Sequence, residues 1–223
     1  MPLVGYFDIL GTRDAVLKDE FSDLMILDFV APVGIAAGIL KTIRYAVLSD
    51  CVIFSCEDGH EKDFIKAVSI MCGQWSADLI QVRGGIASGE IRWVDYEHAD
   101  ALFSKFKNLM YARLYGKALV KAHEIEQKSG PGAIIYVSDS AAELIANIEQ
   151  NAILSGITPS LCWATEREAK LLERYSHQAL EYEKQDSAGQ RHALATKRYW
   201  ELVCAKQKYL PLHLASPFAQ VNA

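Results

Sequence analysis

The chain lacks several features that would place a protein in a functional class at once. Its 223 residues carry 23 Lys and Arg against 28 Asp and Glu, a net charge of −5. This balance argues against a nucleic-acid-binding protein that relies on a broad basic surface. The five cysteines are odd in number and scattered, and no pair has the spacing of a zinc site. We therefore expect reduced thiols in a cytoplasmic protein.

The sequence also lacks an apolar run long enough to predict a membrane span. The longest candidate, Leu24 to Leu40, is short for a bilayer and contains Asp28 and Pro32. We expect a buried helix that breaks or kinks near the proline and covers a sheet, with a dimer contact as the alternative. The first residues have no basic start of the kind found in secretion signals, which agrees with a cytoplasmic location.

What the chain does contain is apolar sequence, 51% of its residues, which is enough for a full core. Apolar periodicity predicts the order strand, helix, hairpin, helix, strand, helix, strand, which is typical of an α+β sandwich. After residue 160 the chain becomes charged and helical. We predict one domain over residues 1–160 and an extension over residues 161–223 that packs on the same domain or on a dimer partner.

A single carboxylate lies near the end of the first predicted strand, in Val4-Gly5-Tyr6-Phe7-Asp8-Ile9-Leu10-Gly11-Thr12. Aspartate is depleted in strands, and an unpaired charge is costly to bury. Asp50 lies similarly in Leu48-Ser49-Asp50-Cys51, between two apolar runs that indicate a hairpin. Two carboxylates on neighbouring strands can hold divalent metal against a phosphate chain. The alternative is that both are turn or capping residues.

Four sequence blocks follow one another in an informative order. They are Phe7 to Thr12, Leu48 to Cys51, Val82 to Ile91 and Gly116 to Glu126. In content and order they resemble the two metal motifs, the Arg-x-Gly-Ile-x-x-Gly strand and the Gly-initiated helix of class III nucleotidyl cyclases. Within that family the chain is most similar to the standalone bacterial pyrimidine cyclases of Pycsar antiphage defence.

The resemblance implies a ferredoxin-like nucleotidyl cyclase domain, with a central, mostly antiparallel sheet flanked by helices, and a C-terminal helical extension beyond it. It implies an enzyme, a phosphorus–oxygen lyase that converts UTP, or CTP as second choice, to the 3′,5′-cyclic nucleotide and pyrophosphate. In the family, active sites form at the interface of a homodimer. The product would then act as a second messenger on a separate effector that binds the cyclic nucleotide.

The same resemblance implies roles for individual residues. Asp8, Asp50 and the backbone of Ile9 would hold two Mg²⁺ or Mn²⁺ ions. The phosphate chain would lie against the backbone of Ile9, Leu10 and Gly11 and the hydroxyl of Thr12.

Base recognition departs from the adenylyl cyclase pattern. Ala46 stands where those enzymes have an adenine-reading Lys, and Arg113 where they have a base-reading Asp. Because Arg113 offers only donors, it favours a carbonyl such as O4 of uracil or O6 of guanine; an ordinary ion pair is the alternative. By the same resemblance, Tyr45 or Arg44 near the pocket would stack on or crowd a small base.

Two further departures concern catalysis. Val120 replaces the ribose-orienting Asn of the family, and Glu124 replaces the transition-state Arg. Lys117 and Lys121, one helical turn apart, are the predicted replacement cations, with Arg83 as another candidate. The alternative is an inactive cyclase-fold module that senses a nucleotide or binds a partner. A polymerase-like palm shares two metal carboxylates, but the chain has no Gly-Gly-x-x-Phe signature for it.

Overall fold

In the part of the chain that the structure describes, seven strands form one sheet. The computed structural model describes residues 1–94, 114–155, 158–182 and 187–206. The strands are β1 (Leu3–Ile9), β2 (Ile43–Leu48), β3 (Cys51–Cys56), β4 (Val82–Ser88), β5 (Arg92–Trp93), β6 (Leu114–Tyr115), β7 (Ile135–Val137), β8 (Ile153–Leu154) and β9 (Ser160–Leu161). The helices are α1 (Thr12–Leu17), α2 (Asp23–Ile39), α3 (Glu61–Ala77), α4 (Lys117–Lys128), α5 (Asp139–Ile148), α6 (Glu166–Tyr182) and α7 (Ala188–Lys206).

The large sheet has the strand order β2-β3-β1-β4-β7-β9-β8, and β5 pairs separately with β6. Among the described strands β4 and β7 run parallel, and the other neighbours are antiparallel. β1 is central, with Asp8 opposite Cys51 of β3 on one side and Arg83 of β4 on the other. This arrangement, with helices and a C-terminal helical extension, confirms the predicted fold class.

The two faces of the sheet carry different helices. On one face, Phe7 packs against Phe54 with 4.9 Å between ring centroids, in a core shared with Phe29 of α2 and Trp75 of α3. Side chains alternate along a strand, so Asp8 belongs to the opposite face, where α4 packs on β1 and β4.

Two consecutive glycines in β4 allow this close packing. A Cβ at Gly84 would overlap the ring of Phe7, and a Cβ at Gly85 would overlap the carbonyl oxygen of Ala122 in α4. Both approaching groups belong to this chain, so packing within the subunit is enough to explain the two glycines.

α2 contains most of the apolar run and continues through Pro32, so the predicted break is not observed. Proline removes one backbone donor. This part of α2 is anchored to α3, because Phe29 stacks on Trp75 at 5.0 Å and its carbonyl accepts from the indole N–H at 2.8 Å. The outer face of α2 leaves Leu24 and Leu27 exposed. None of the helices within the described ranges has the length and apolar character needed to cross a bilayer.

The C-terminal helices α6 and α7 pack on each other. Trp200 of α7 contacts Trp163 with 5.3 Å between ring centroids. Tyr199, beside it, donates a 2.5 Å hydrogen bond to the carbonyl of Leu161. The amide of Ala133 in the domain donates to Thr196 Oγ1 of α7 at 2.9 Å, and Tyr199, Trp200 and Val203 belong to the same buried core as the sheet. The extension therefore shares its core with the domain of this same chain. The boundary at residue 160 stays a prediction, and β9 crosses it.

Candidate active site

One cavity of about 610 Å³ brings together most of the residues that the sequence predicted for metal and phosphate. It lies at the end of β1, and its lining includes Asp8, Asp50 and the turn Ile9 to Thr12. Arg13, Gln81, Arg83 and His192 also line it.

Backbone contacts fix Asp8 and Asp50 next to each other. Asp50 lies in the turn between β2 and β3, where Ser49 has a φ of 56°, and the amide of Ile9 donates to the carbonyl of Asp50 at 3.0 Å. The amide of Leu10 donates to the backbone carbonyl of Gln81 at 2.9 Å. The end of β1 is therefore held between the hairpin turn and the start of β4.

Asp8 is in an environment that disfavours its charge. Burial raises the pKa of Asp8 from 3.8 to about 7, and the negative charges of Asp50 and Glu126 add to the effect, while Arg83 opposes it. No described cation forms an ion pair with Asp8. A divalent cation between Asp8 and Asp50 would remove this electrostatic cost.

The turn after β1 leads into the short helix α1. Gly11 adopts a φ of 85°, which L side chains rarely accept. The Thr12 hydroxyl donates to the carbonyl of Ile9 at 3.2 Å. A contact between this hydroxyl and a phosphate would therefore require it to change partner.

Arg83 faces the cavity but is already paired. Its Nε donates to Oε1 of Glu126 at 2.6 Å, Glu126 is fully buried, and Gln127 donates to the other carboxylate oxygen at 2.8 Å. This pair links β4 to α4 below Asp8. Arg83 is thus held in place as a structural group beside the site.

The structure does not bring the predicted replacement cations to this cavity. Lys117 and Lys121 are exposed on α4 and do not contribute to its lining. Glu124, at the position of the transition-state Arg, forms an exposed ion pair with Lys128 at 3.2 Å. A catalytic role for the two lysines stays a prediction, and it requires the site of a second subunit.

Of the residues predicted to contact the base, those that the structure describes are separate from the cavity. Tyr45 points to the core, stacked 6.1 Å from Phe54, and its hydroxyl is buried without a hydrogen-bond partner among the described residues. This position gives no support to base stacking. Ala46 is on β2 and does not line the cavity, and Arg113 lies outside the described residues.

Four polar residues of the cavity were not found from the sequence, namely Arg13, Asp14, Gln81 and His192. Arg13 directly follows the predicted phosphate turn, so its position was the available signal. His192 lies in α7, and its Nδ1 accepts from the amide of Gly132 at 2.9 Å. Burial lowers the pKa of His192, as do the positive charges of Arg83 and Arg191. No local sequence signal connects His192 with a motif near residue 8.

The donor set fits Mg²⁺ or Mn²⁺. Carboxylate and carbonyl oxygens are the ligands these cations take, and Asp8, Asp50 and Ile9 line the cavity. Within the described ranges, no group of three or more His, Cys, Asp and Glu residues is arranged for a metal. Additional ligands would therefore come from substrate phosphates and water, as is usual for Mg²⁺.

Comparison with known proteins shows the fold. No protein-family model and no curated protein sequence matches the chain. The monomeric guanylyl cyclase domain of the RhoGC fusion protein from the aquatic fungus Blastocladiella emersonii has 14% identity and a TM-score of 0.52, covering 72% of this chain and 93% of that one. A bacterial light-regulated adenylyl cyclase has 12% identity and a TM-score of 0.52, covering 92% of this chain and 57% of that one. The chain thus has the fold of nucleotidyl cyclase domains.

Proposed function

We propose that the chain is a nucleotidyl cyclase that uses a pyrimidine nucleoside triphosphate, UTP first and CTP second. The observation that carries this proposal is the placement of Asp8, Asp50 and the Ile9–Thr12 turn around one cavity, on a fold that known cyclase domains share. A pair of unneutralised carboxylates has no evident structural purpose at this position, because burying charge without a partner destabilises a protein.

The reaction forms a bond between the ribose 3′ oxygen and the α-phosphorus and breaks the bond to the pyrophosphate oxygen. The 3′ hydroxyl loses its proton, and the β- and γ-phosphates leave as pyrophosphate. Two bound Mg²⁺ or Mn²⁺ ions would supply Lewis-acid stabilisation of the charge on the phosphate oxygens. Asp8, Asp50 and the Ile9 carbonyl would hold the ions, and the turn up to Thr12 would orient the phosphate chain.

Arg13 is the cation that this chain itself offers to the phosphates. It lines the cavity, is exposed, and has no ion-pair or hydrogen-bond partner among the described residues. Arginine matches phosphate geometry with its fork of donors. We therefore assign Arg13 a phosphate-binding role beside the metal carboxylates.

The choice of base rests on the sequence. Ala46 and Arg113 replace the adenine-reading pair, and an arginine that offers only donors suits a carbonyl such as O4 of uracil. By its resemblance to cyclases with interfacial sites, the chain would act as a homodimer, in which Arg113, Lys117 and Lys121 reach the site of the other subunit. A role in antiphage defence, through a cytoplasmic second messenger and a separate effector, belongs to the same proposal.

A second candidate function is a nucleotide-sensing module without turnover. It is favoured by Glu124 and Val120, which replace two catalytic residues of the family, and by the exposed ion pair that Glu124 forms with Lys128. It is opposed by Asp8 and Asp50, because a site that no longer binds metal does not need both carboxylates.

Pyrophosphate release tests the assignment of the metal carboxylates. Wild type and the variants Asp8→Ala and Asp50→Ala are given UTP with Mn²⁺, and size-exclusion chromatography checks folding and assembly. The matched control is Asp28→Ala, which changes an exposed aspartate on α2. We expect at least a hundredfold loss of rate in the two site variants and none in the control. Full activity in either site variant would contradict the assignment, and tight nucleotide binding by wild type without release would favour the sensing module.

A further inference from the structure

The C-terminal extension closes one side of the candidate active site. Gly189, His192 and Ala193 of α7 line the same cavity as Asp8 and Asp50. The last of the motifs that indicated a cyclase ends at Glu126, so this wall comes from a part of the chain to which they assign no role.

Neighbouring backbone amides fix the position of His192. The amide of Gly132 donates to His192 Nδ1 at 2.9 Å, and the amide of Ala133 donates to Thr196 Oγ1 at 2.9 Å. The Thr196 hydroxyl donates in turn to the carbonyl of His192 at 2.9 Å. A Cβ at Gly132 would come within 3.1 Å of Ala195. The loop and the helix are therefore in close contact, and the imidazole is held against that loop.

The hydrogen bond from Gly132 also determines the protonation state of the ring. A nitrogen that accepts a hydrogen bond carries no proton, so Nδ1 is unprotonated and the neutral ring has its proton on Nε2. Burial and nearby Arg83 lower the pKa of His192, in agreement with a neutral ring. No described residue accepts a hydrogen bond from Nε2.

This tautomer restricts what His192 can do. With its proton on Nε2, the ring can neither accept a proton nor bind a metal there, but it can donate one hydrogen bond to an oxygen. The cavity that it lines is the one to which the proposed function assigns the phosphate chain.

We propose that His192 donates a hydrogen bond from Nε2 to a phosphate oxygen of the nucleotide, so that the C-terminal helix completes the phosphate site of its own chain. The inference rests on the proposed function. The proposed contact gives the phosphate chain a hydrogen-bond donor from within the subunit. Such a donor matters in this chain because Glu124 stands where the family has its transition-state Arg.

The two amide variants of His192 separate this role from a structural one. Asparagine places an acceptor near the position of Nδ1 and can keep the bond from Gly132, but it has no donor at the Nε2 position. Glutamine places a donor near Nε2 and loses the Gly132 bond. His177→Gln is the control, since His177 is a partly exposed histidine of α6 that pairs with Glu201 at 3.5 Å.

Calorimetric titration with inorganic tripolyphosphate and Mg²⁺ measures the phosphate contact without a base. We expect His192→Asn to bind about tenfold more weakly than wild type, as for one lost hydrogen bond to a charged group, with an unchanged melting temperature. His192→Gln should recover affinity and melt at a lower temperature. His177→Gln should match wild type in affinity.

The outcomes distinguish the inference from the function on which it rests. If wild type binds tripolyphosphate and His192→Asn binds it equally well, the contact from His192 is refuted and the cyclase proposal stands. If wild type does not bind tripolyphosphate with Mg²⁺ and forms no cyclic product, both are refuted.

Discussion

The raised pKa of Asp8 leads to the prediction that Asp8→Asn stabilises the metal-free protein. Folding moves the pKa of Asp8 from its ordinary 3.8 to about 7, so between these values the folded state binds more protons than the unfolded state. Stability is therefore highest below pH 3.8 with respect to this group, falls as the pH rises towards 7, and is constant above it. At pH 8 the charged Asp8 opposes folding in full.

The size of the effect follows from the same pKa difference. From 3.8 to about 7, at about 1.4 kcal/mol for each pH unit, the upper bound is about 4 kcal/mol. Asp8 is partly exposed, and solvent screening reduces this value, so we expect about 1.5 kcal/mol. For a chain of this size that corresponds to a rise in melting temperature of about 4 °C.

Thermal unfolding in EDTA at pH 8 measures this effect, with Asp28→Asn on the exposed side of α2 as the control. Asp8→Asn should melt at a higher temperature than wild type, and the difference should disappear near pH 4. Addition of Mn²⁺ should stabilise wild type and leave Asp8→Asn unchanged, because ligand binding to the folded state raises stability. A variant that melts below wild type at pH 8 without metal would refute the electrostatic argument.

Two further substitutions test the support beneath the site, each by denaturant unfolding. Gly85→Ala should lower the free energy of unfolding by about 3 kcal/mol, because its Cβ overlaps the backbone of α4. The control Gly34→Ala, in open space on α2, should raise the free energy of unfolding by about 0.5 kcal/mol. Equal effects of the two substitutions would contradict the close packing of β4 against α4. Glu126→Gln should lower the free energy of unfolding by about 3 kcal/mol, because it leaves Arg83 without its buried partner. The control Glu124→Gln, on the exposed face of α4, should lower it by less than about 0.5 kcal/mol. An unchanged free energy of unfolding in Glu126→Gln would show that the ion pair is not needed for stability.

Features that depend on local sequence were predictable. α4 begins directly after Gly116, as the resemblance to the Gly-initiated helix of the cyclase family implied, and it ends at Lys128, just before a Ser-Gly-Pro-Gly stretch of the kind that stops helices. Ser138 caps α5 by accepting from the amide of Ala141, as its position before a helical segment suggested. Asp8 and Asp50 were recognisable because a carboxylate beside β-branched residues conflicts with strand preference.

Features that depend on distant contacts were not predictable. His192 reaches the cavity only because α7 packs on the loop at Gly132, and no periodicity reports a contact between residues so far apart in sequence. The two glycines of β4 are typical of a close approach by another group, but the sequence does not show which group approaches them. Tyr45 is different, since Ile43, Tyr45 and Val47 alternate along β2 and that pattern already indicated a core-facing ring.

Product analysis tests the central claim most directly. The purified protein, with Mn²⁺ or Mg²⁺, is given ATP, GTP, CTP and UTP separately, and the products are separated by chromatography and identified by mass. The account predicts 3′,5′-cyclic UMP and pyrophosphate from UTP, with a smaller yield of cyclic CMP from CTP. Cyclic AMP as the main product would contradict the base assignment, and the absence of a cyclic product from every substrate would contradict the cyclase itself.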